Sequence, residues 1–344
     1  MSFSEQVAAV NRHLTHSQRN RVFNVTGTEA PRFELYHSAP SLCSMKCRTV
    51  MAEKKIPYHS HDMNIRISKG MAENYLPDYV RLRLTGAPEA RLASGYTGQS
   101  SVTTEGFDPC VVPTLVDHEK EAVIVDSSRI CLYLDKETGG DLTPASLSNE
   151  IGAQIDVVDQ APHVASLYGG HPDHDPRPLS ISKPIEGVHA KKIEKLRIAM
   201  AEVAGEPQLV AAYEAKIAKE AAAGQFVYDA DEMRAAHRAM YDHVGVLNEQ
   251  LERHDDPWVM GSAYTLADII WSVSLYRMQW LGMGAAWIGK FPKVEAYTAR
   301  AFQRASFRTG VIEWPAVYGP SPHVPEFSGI GPALKFFYQL FQRG

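Results

Sequence analysis

The chain has 344 residues, 44% of them hydrophobic and 22% charged, an ordinary globular composition with room for one large or two ordinary domains. Thirty-five basic against 40 acidic residues leave a net charge of −5, which is no footprint for a nucleic acid or an anionic membrane surface. No apolar run approaches the roughly 18 residues of a membrane span, and residues 1–21 lack the apolar stretch of a signal peptide. Four cysteines are too few for a disulfide framework, so a cytoplasmic enzyme with reduced thiols is the expectation.

Residues 1–31 are polar with a weakly amphipathic stretch at 7–14, an arm that docks on the body or frays. Organised structure is expected from Arg32, where Arg32-Phe-Glu-Leu-Tyr-His37 alternates at the strand period. Ser38-Ala-Pro-Ser41 turns the chain into a helix over 42–54, and residues 57–61 read as a second strand. A short irregular helix follows at 73–80, then a Gly-, Ser-, Thr- and Pro-rich insert over 85–109, long enough to be functional or mobile. Residues 111–117 form a strand containing Pro113, residues 122–125 return, and Asp126-Ser-Ser-Arg129 caps a helix to about residue 134. A Gly-, Asp-, Thr- and Pro-containing linker falls near 138–144. Beyond it the period is helical, most clearly over 187–204, 208–223, 231–254, 265–281 and 292–305. A small α/β domain over 32–137 and an all-helical domain over 144–312 are therefore expected, with an extension over 313–344. In that extension Leu334, Phe337, Leu340 and Phe341 share a helical face, suited to docking on the body or a partner subunit.

The first chemical candidate is Ser41-Leu-Cys43-Ser44-Met-Lys46-Cys47. A cysteine at a helix start meets unpaired N–H groups and the positive end of the dipole, which favour a thiolate. Lys46 and Arg48 would add positive potential, and Ser41 and Ser44 offer hydroxyl donors. The same residues fit a plain N-cap with a small core cysteine. Cys47 is expected in the core, and Cys110 and Cys131 as packing residues. Val112-Pro113 is either a plain edge-strand proline or, if cis, a backbone turned outward to pair with a peptide-like ligand. Asp126-Ser127 either only caps its helix or also offers N–H groups to a carboxylate. Thr265-Leu-Ala-Asp268 reads as a structural capping box. His171-Pro-Asp173-His174-Asp175 has no helical metal-ligand spacing and reads as an exposed loop. His163, Tyr168 and Trp271 are weaker candidates for a pocket. Lys191-Lys192 and Lys216/Lys219 alternate with acids and read as solvated faces. Phosphate-loop, G-x-S-x-G and H-E-x-x-H motifs are absent.

Together these features resemble the glutathione S-transferase superfamily over roughly residues 32–312. The resemblance implies a thioredoxin-like α/β N-terminal domain and an all-α C-terminal domain. It also implies glutathione as co-substrate and a homodimer, while the net charge already argues against a nucleic-acid partner. It places the catalytic residue in the Ser41–Ser44 stretch, a cis-proline at Val112-Pro113, and the γ-glutamyl contact at Asp126-Ser127. Ser41-Leu-Cys-Ser-Met-Lys46, Pro77-Asp-Tyr-Val-Arg-Leu82, Leu266-Ala-Asp-Ile-Ile-Trp271 and insert segments such as Thr97-Gly-Gln-Ser-Ser-Val102 are similar to the bacterial glutathione-dependent reductive dehalogenases of chlorinated hydroquinones. That implies chloride displacement by glutathione, then attack of Cys43 on the glutathionyl conjugate, with Ser41 holding the thiol. A β-aryl etherase, a general conjugating transferase acting on other aromatic electrophiles, and a non-catalytic glutathione-binding protein are the alternatives.

Overall fold

The computed structural model describes residues 1–14, 21–24, 30–67, 70–99, 102–314, 321 and 323. The chain order is α1 (Phe3–His13), β1 (Arg21–Phe23), β2 (Phe33–His37), α2 (Leu42–Glu53), β3 (Tyr58–Asp62), α3 (Pro77–Thr85), α4 (Val102–Glu105), β4 (Thr114–Asp117), β5 (Ala122–Val125) and α5 (Ser127–Glu137). Helices then follow: α6 (Ser148–Asp159), α7 (His163–Tyr168), α8 (Leu179–Ile185), α9 (Val188–Glu202), α10 (Pro207–Phe226), α11 (Ala230–Glu252), α12 (Leu266–Trp280) and α13 (Pro292–Gln303). The sheet has five strands in the order β1-β3-β2-β4-β5. β2 and β3 are parallel across the α2 crossover, and the other pairs are antiparallel. An α/β unit followed by helices is the fold class expected from the periodicity.

Two elements precede the expected start at Arg32. α1 forms because Ser2 and Glu5 make a capping box. Its Val7, Val10 and Leu14 pack with Tyr36, Met63, Tyr79 and Leu82, which settles docking over fraying. A polar knot ties it down: the Glu34 carboxylate binds His61 at 2.6 Å, His118 at 2.7 Å and Asn11 at 3.2 Å. β1 is a three-residue edge strand on β3, with Phe23 stacked 5.2 Å from Tyr58. Three residues are too few to show a period.

The insert is less open than its composition suggests. Leu92 bridges Phe107, and Glu105 accepts from Thr97 N at 2.7 Å. The helical half is centred on α12, which is buried almost all round, as an apolar helix without a polar stripe must be. Its Ile270 and Leu275 share one core with Met45, Val50 and Met51 of α2. The Thr265–Asp268 box is structural: Asp268 accepts from Thr265 N at 2.8 Å and Val259 N at 2.9 Å. The 171–175 loop is mostly exposed. The apolar C-terminal face, with Leu334, Phe337, Leu340 and Phe341, lies outside the described residues. No described helix is long and apolar enough to cross a membrane, and the four cysteines are unpaired.

Candidate active site

The β2–α2 turn presents Ser41 and Cys43. Ser41 is the N-cap of α2, its Oγ accepting from Ser44 N at 3.2 Å. Cys43 sits half-buried in the first turn. Ser44 does not share the site, contrary to expectation. It is fully buried, and its Oγ accepts from Ser38 N at 3.2 Å.

The helix start does not by itself make Cys43 a thiolate. Burial raises the thiol above its ordinary value, and the Lys46 ammonium and a Ser127 hydrogen bond oppose this without reversing it. Lys46 is engaged elsewhere, 2.6 Å from Asp159. Arg48 points away, into the carbonyls of Ser38, Ala39 and Gly310. Iodoacetamide modification of Cys43 should therefore accelerate at a higher pH than that of a free cysteine peptide. Lys46→Met should move the midpoint higher still. A midpoint below the peptide's would show an activated thiolate instead.

Val112-Pro113 is cis, and the β2–β4 ladder begins only at Thr114, so the Val112 backbone lies outside the sheet pairing. Residues of the segment before the insert clamp this turn. Arg83 donates to Pro113 O at 2.5 Å and Asp108 O at 3.1 Å, and Tyr79 donates to Val111 O at 2.9 Å. Asp126 caps α5 from φ 76°, a region costly for a residue with a Cβ, and accepts from Ser128 N at 3.1 Å. Burial, then the nearby Asp159 charge, raise its carboxyl above the usual range.

Ser41, Cys43, Val112, Pro113, Asp126 and Ser127 all line one cavity of about 230 Å³ between the α/β unit and the helices. His163 and Tyr168 line it too. Trp271 does not: it is fully buried, donates to Gln154 Oε1 at 2.8 Å and stacks 4.2 Å from His243. Cys47 and Cys131 are buried together, their sulfurs 4.0 Å apart, and Cys110 is buried as well.

The lysines of the cavity lining overturn one expectation. Lys192, Lys216 and Lys219 are not on solvated faces; they line the cavity. Lys216 lies 2.8 Å from Asp108 and 2.9 Å from Glu220, and Lys219 lies 2.7 Å from Glu105. Lys192 and His189 reach Glu220 at 3.2 and 2.7 Å. Acids of the insert thus pair with lysines of α10 and make a charged wall of the cavity that Cys43 also lines. An i,i+4 Lys–Glu pair has the same spacing on a buried face as on a solvated one, so periodicity carried no signal of it. Only the insert's placement over α10 removes the water.

The chain matches the description "Glutathione S-transferase, N-terminal domain" over residues 40–137 and "Glutathione S-transferase, C-terminal domain" over residues 210–305. It is 45% identical to the 2,5-dichlorohydroquinone reductive dechlorinase of Sphingobium indicum over 86% of this chain and 87% of that one. It is 29% identical to the tetrachloro-p-hydroquinone reductive dehalogenase of Sphingobium chlorophenolicum, over 82% of this chain and 96% of that one. Among solved structures, glutathione S-transferase III in its apo form matches with TM-score 0.52 and 18% identity, covering 85% of this chain and all (100%) of that one. The β-etherase LigF from Sphingobium sp. strain SYK-6 matches with TM-score 0.51 and 17% identity over 81% of this chain and 98% of that one. With both domains matched and a close relative along most of its length, the chain belongs to the glutathione S-transferase superfamily.

Proposed function

We propose that this protein is a glutathione-dependent reductive dehalogenase of chlorinated hydroquinones. The observation that carries the reading is the 45% identity, over 86% of the chain, to a 2,5-dichlorohydroquinone reductive dechlorinase. A cavity that holds Cys43 beside Ser41 and an acid–serine pair supports it.

Glutathione lies with its cysteine backbone along Val112 and its γ-glutamyl group at Asp126-Ser127. Ser41 donates to its sulfur. The glutathione thiolate displaces chloride from the substrate ring, in a tautomer that can accept it, and leaves a glutathionyl hydroquinone. Cys43 then attacks the sulfur of that conjugate. The sulfur–carbon bond breaks, the Cys43–glutathione disulfide forms, and the ring carbon gains a proton equivalent to the one the thiol loses. A second glutathione thiolate resolves the mixed disulfide and returns Cys43. The sum is one chloride and one oxidised glutathione for each pair of glutathiones and each ring reduced. Burial raises the Cys43 thiol, so it must give up its proton as it attacks the conjugate.

Residues 32–137 form the glutathione-binding unit in this reading, residues 144–312 the substrate side, and two copies the working assembly. Anaerobic incubation with glutathione and 2,5-dichlorohydroquinone should release chloride and oxidised glutathione in equal amounts. Absence of chloride would sink the dehalogenase assignment.

A further inference from the structure

The charged wall of the cavity contains a base that the mechanism has not yet used. His189 lies on α9 and is 7% exposed. Its Nδ1 is 2.7 Å from Glu220 Oε2. A carboxylate only accepts, so Nδ1 carries the hydrogen, and Nε2 of the neutral ring is a lone pair. That Nε2 is buried and has no hydrogen-bond partner among the described residues. Polar atoms of other cavity-lining residues share this condition, including Tyr96 Oη and Asn74 Oδ1. Unpartnered polar atoms around one cavity are costly unless a polar ligand meets them.

Glu220 is a dependable orienting group. Burial pushes its carboxyl up, but the Lys192 and Lys216 ammoniums and the His189 hydrogen bond outweigh this and hold it ionised. His163 also lines the cavity with an unpartnered Nδ1. Its Nε2 faces the Ser274 hydroxyl at 3.0 Å, and a hydroxyl can donate or accept, so its tautomer is not fixed in the same way.

We propose that His189 is the general base that converts the hydroquinone to its electrophilic keto tautomer, with Glu220 as its positioning residue. This rests on the dehalogenase reading above. His189 Nε2 takes the proton of a ring hydroxyl. The oxygen becomes a carbonyl, and the electron pair released into the ring takes the same proton back from Nε2–H at the adjacent carbon. No electron is gained or lost overall. The resulting enone carries the chlorine that glutathione displaces. The wall that binds the hydroxyl and the turn that carries the thiols line one cavity.

The test uses ring-proton exchange of 2,5-dichlorohydroquinone in D2O, followed by NMR under anaerobic conditions without glutathione. In D2O the hydroxyl carries deuterium, so ketonisation at an unsubstituted carbon delivers a deuteron beside the ring hydrogen, and tautomer that leaves the site rearomatises by losing either one, with no chloride released. Wild type should accelerate exchange over buffer, and His189→Gln should lose at least about 100-fold of that acceleration, in the range general bases contribute. Glu220→Gln keeps an acceptor for Nδ1 but removes the charge, and should lose about 10-fold. Melting curves check the fold of both variants. Exchange at the wild-type rate in folded His189→Gln overturns the proposal. His189-dependent exchange without chloride release on adding glutathione would uphold the base and remove the dehalogenase reading.

Discussion

Cys43→Ser should uncouple the reaction, with chloride still released while oxidised glutathione and the dechlorinated hydroquinone fail to form. The glutathionyl hydroquinone should accumulate, one per chloride. A serine hydroxyl is a poor nucleophile toward sulfur and has no thiol to exchange with the second glutathione. The loss in oxidised glutathione should reach at least about 1,000-fold, equivalent to about 4 kcal/mol of transition-state stabilisation. The fold should tolerate the change to within about 1 kcal/mol, since Cys43 is half-buried and the side chains are nearly equal in size. Cys47→Ser is the contrast. Cys47 is fully buried against Cys131, so a hydroxyl there costs stability, but it does not line the cavity and should leave the coupling intact. Product formation by Cys43→Ser at the wild-type ratio to chloride would remove Cys43 from the mechanism and make the second glutathione the thiol that attacks the conjugate.

The parts of this picture legible in the sequence are those with local signatures. β2, α2 and α12 show their own periods, and the capping pairs at Asp126 and at Thr265–Asp268 announce helix starts. The placement of Ser41, Cys43, Val112 and Asp126 on one cavity needed the resemblance as well, because each pattern has a plain structural reading by itself. The rest depends on contacts far apart in the chain. β1 is an edge strand only because β3 is there to pair with. Lys216 is interior only because Asp108, 108 positions away in sequence, folds over it. The thiol of Cys43 defied the helix-start rule for the same reason. Dipole and capping are local and favour a thiolate, whereas burial is tertiary and outweighs them.

Arg48 makes the tertiary dependence of the β2–α2 turn, which carries the candidate residues Ser41 and Cys43, measurable. Its guanidinium is buried, and burial draws its pKa down to about 10, yet it spans the junction between the β2–α2 turn and the end of the helical region. Nε donates to Gly310 O at 2.8 Å, Nη1 to Ser38 O at 3.1 Å, and Nη2 to Ala39 O at 3.0 Å. Nη1 also lies 3.1 Å from His37 Nδ1. A guanidinium cannot accept, so that nitrogen is the acceptor and His37 Nε2–H faces Ser60 Oγ at 2.7 Å. Burial, then the Arg48 charge, keep the His37 ring neutral, as this tautomer requires. Gly310 permits the approach: a Cβ there would sit 2.7 Å from Thr49 Cα. Arg48→Leu would take this donor from Ala39 O, Gly310 O and the His37 imidazole nitrogen, while Ser38 O would keep its bond from Ser41 N at 3.1 Å. Each unpaired buried group costs about 1–3 kcal/mol and the costs overlap, so a loss of about 3–5 kcal/mol is expected. For a chain of this length that corresponds to a melting temperature lower by on the order of 10 °C. Two of the carbonyls belong to Ser38 and Ala39, immediately before Ser41, and Arg277 holds the next one, Pro40 O. Loosening that turn should therefore weaken glutathione binding in the fraction that stays folded. Arg48→Lys, a point donor in place of a fork, should fall between the two. Denaturant midpoints within error of wild type for Arg48→Leu would show that the junction is held by the apolar contacts of α2 alone.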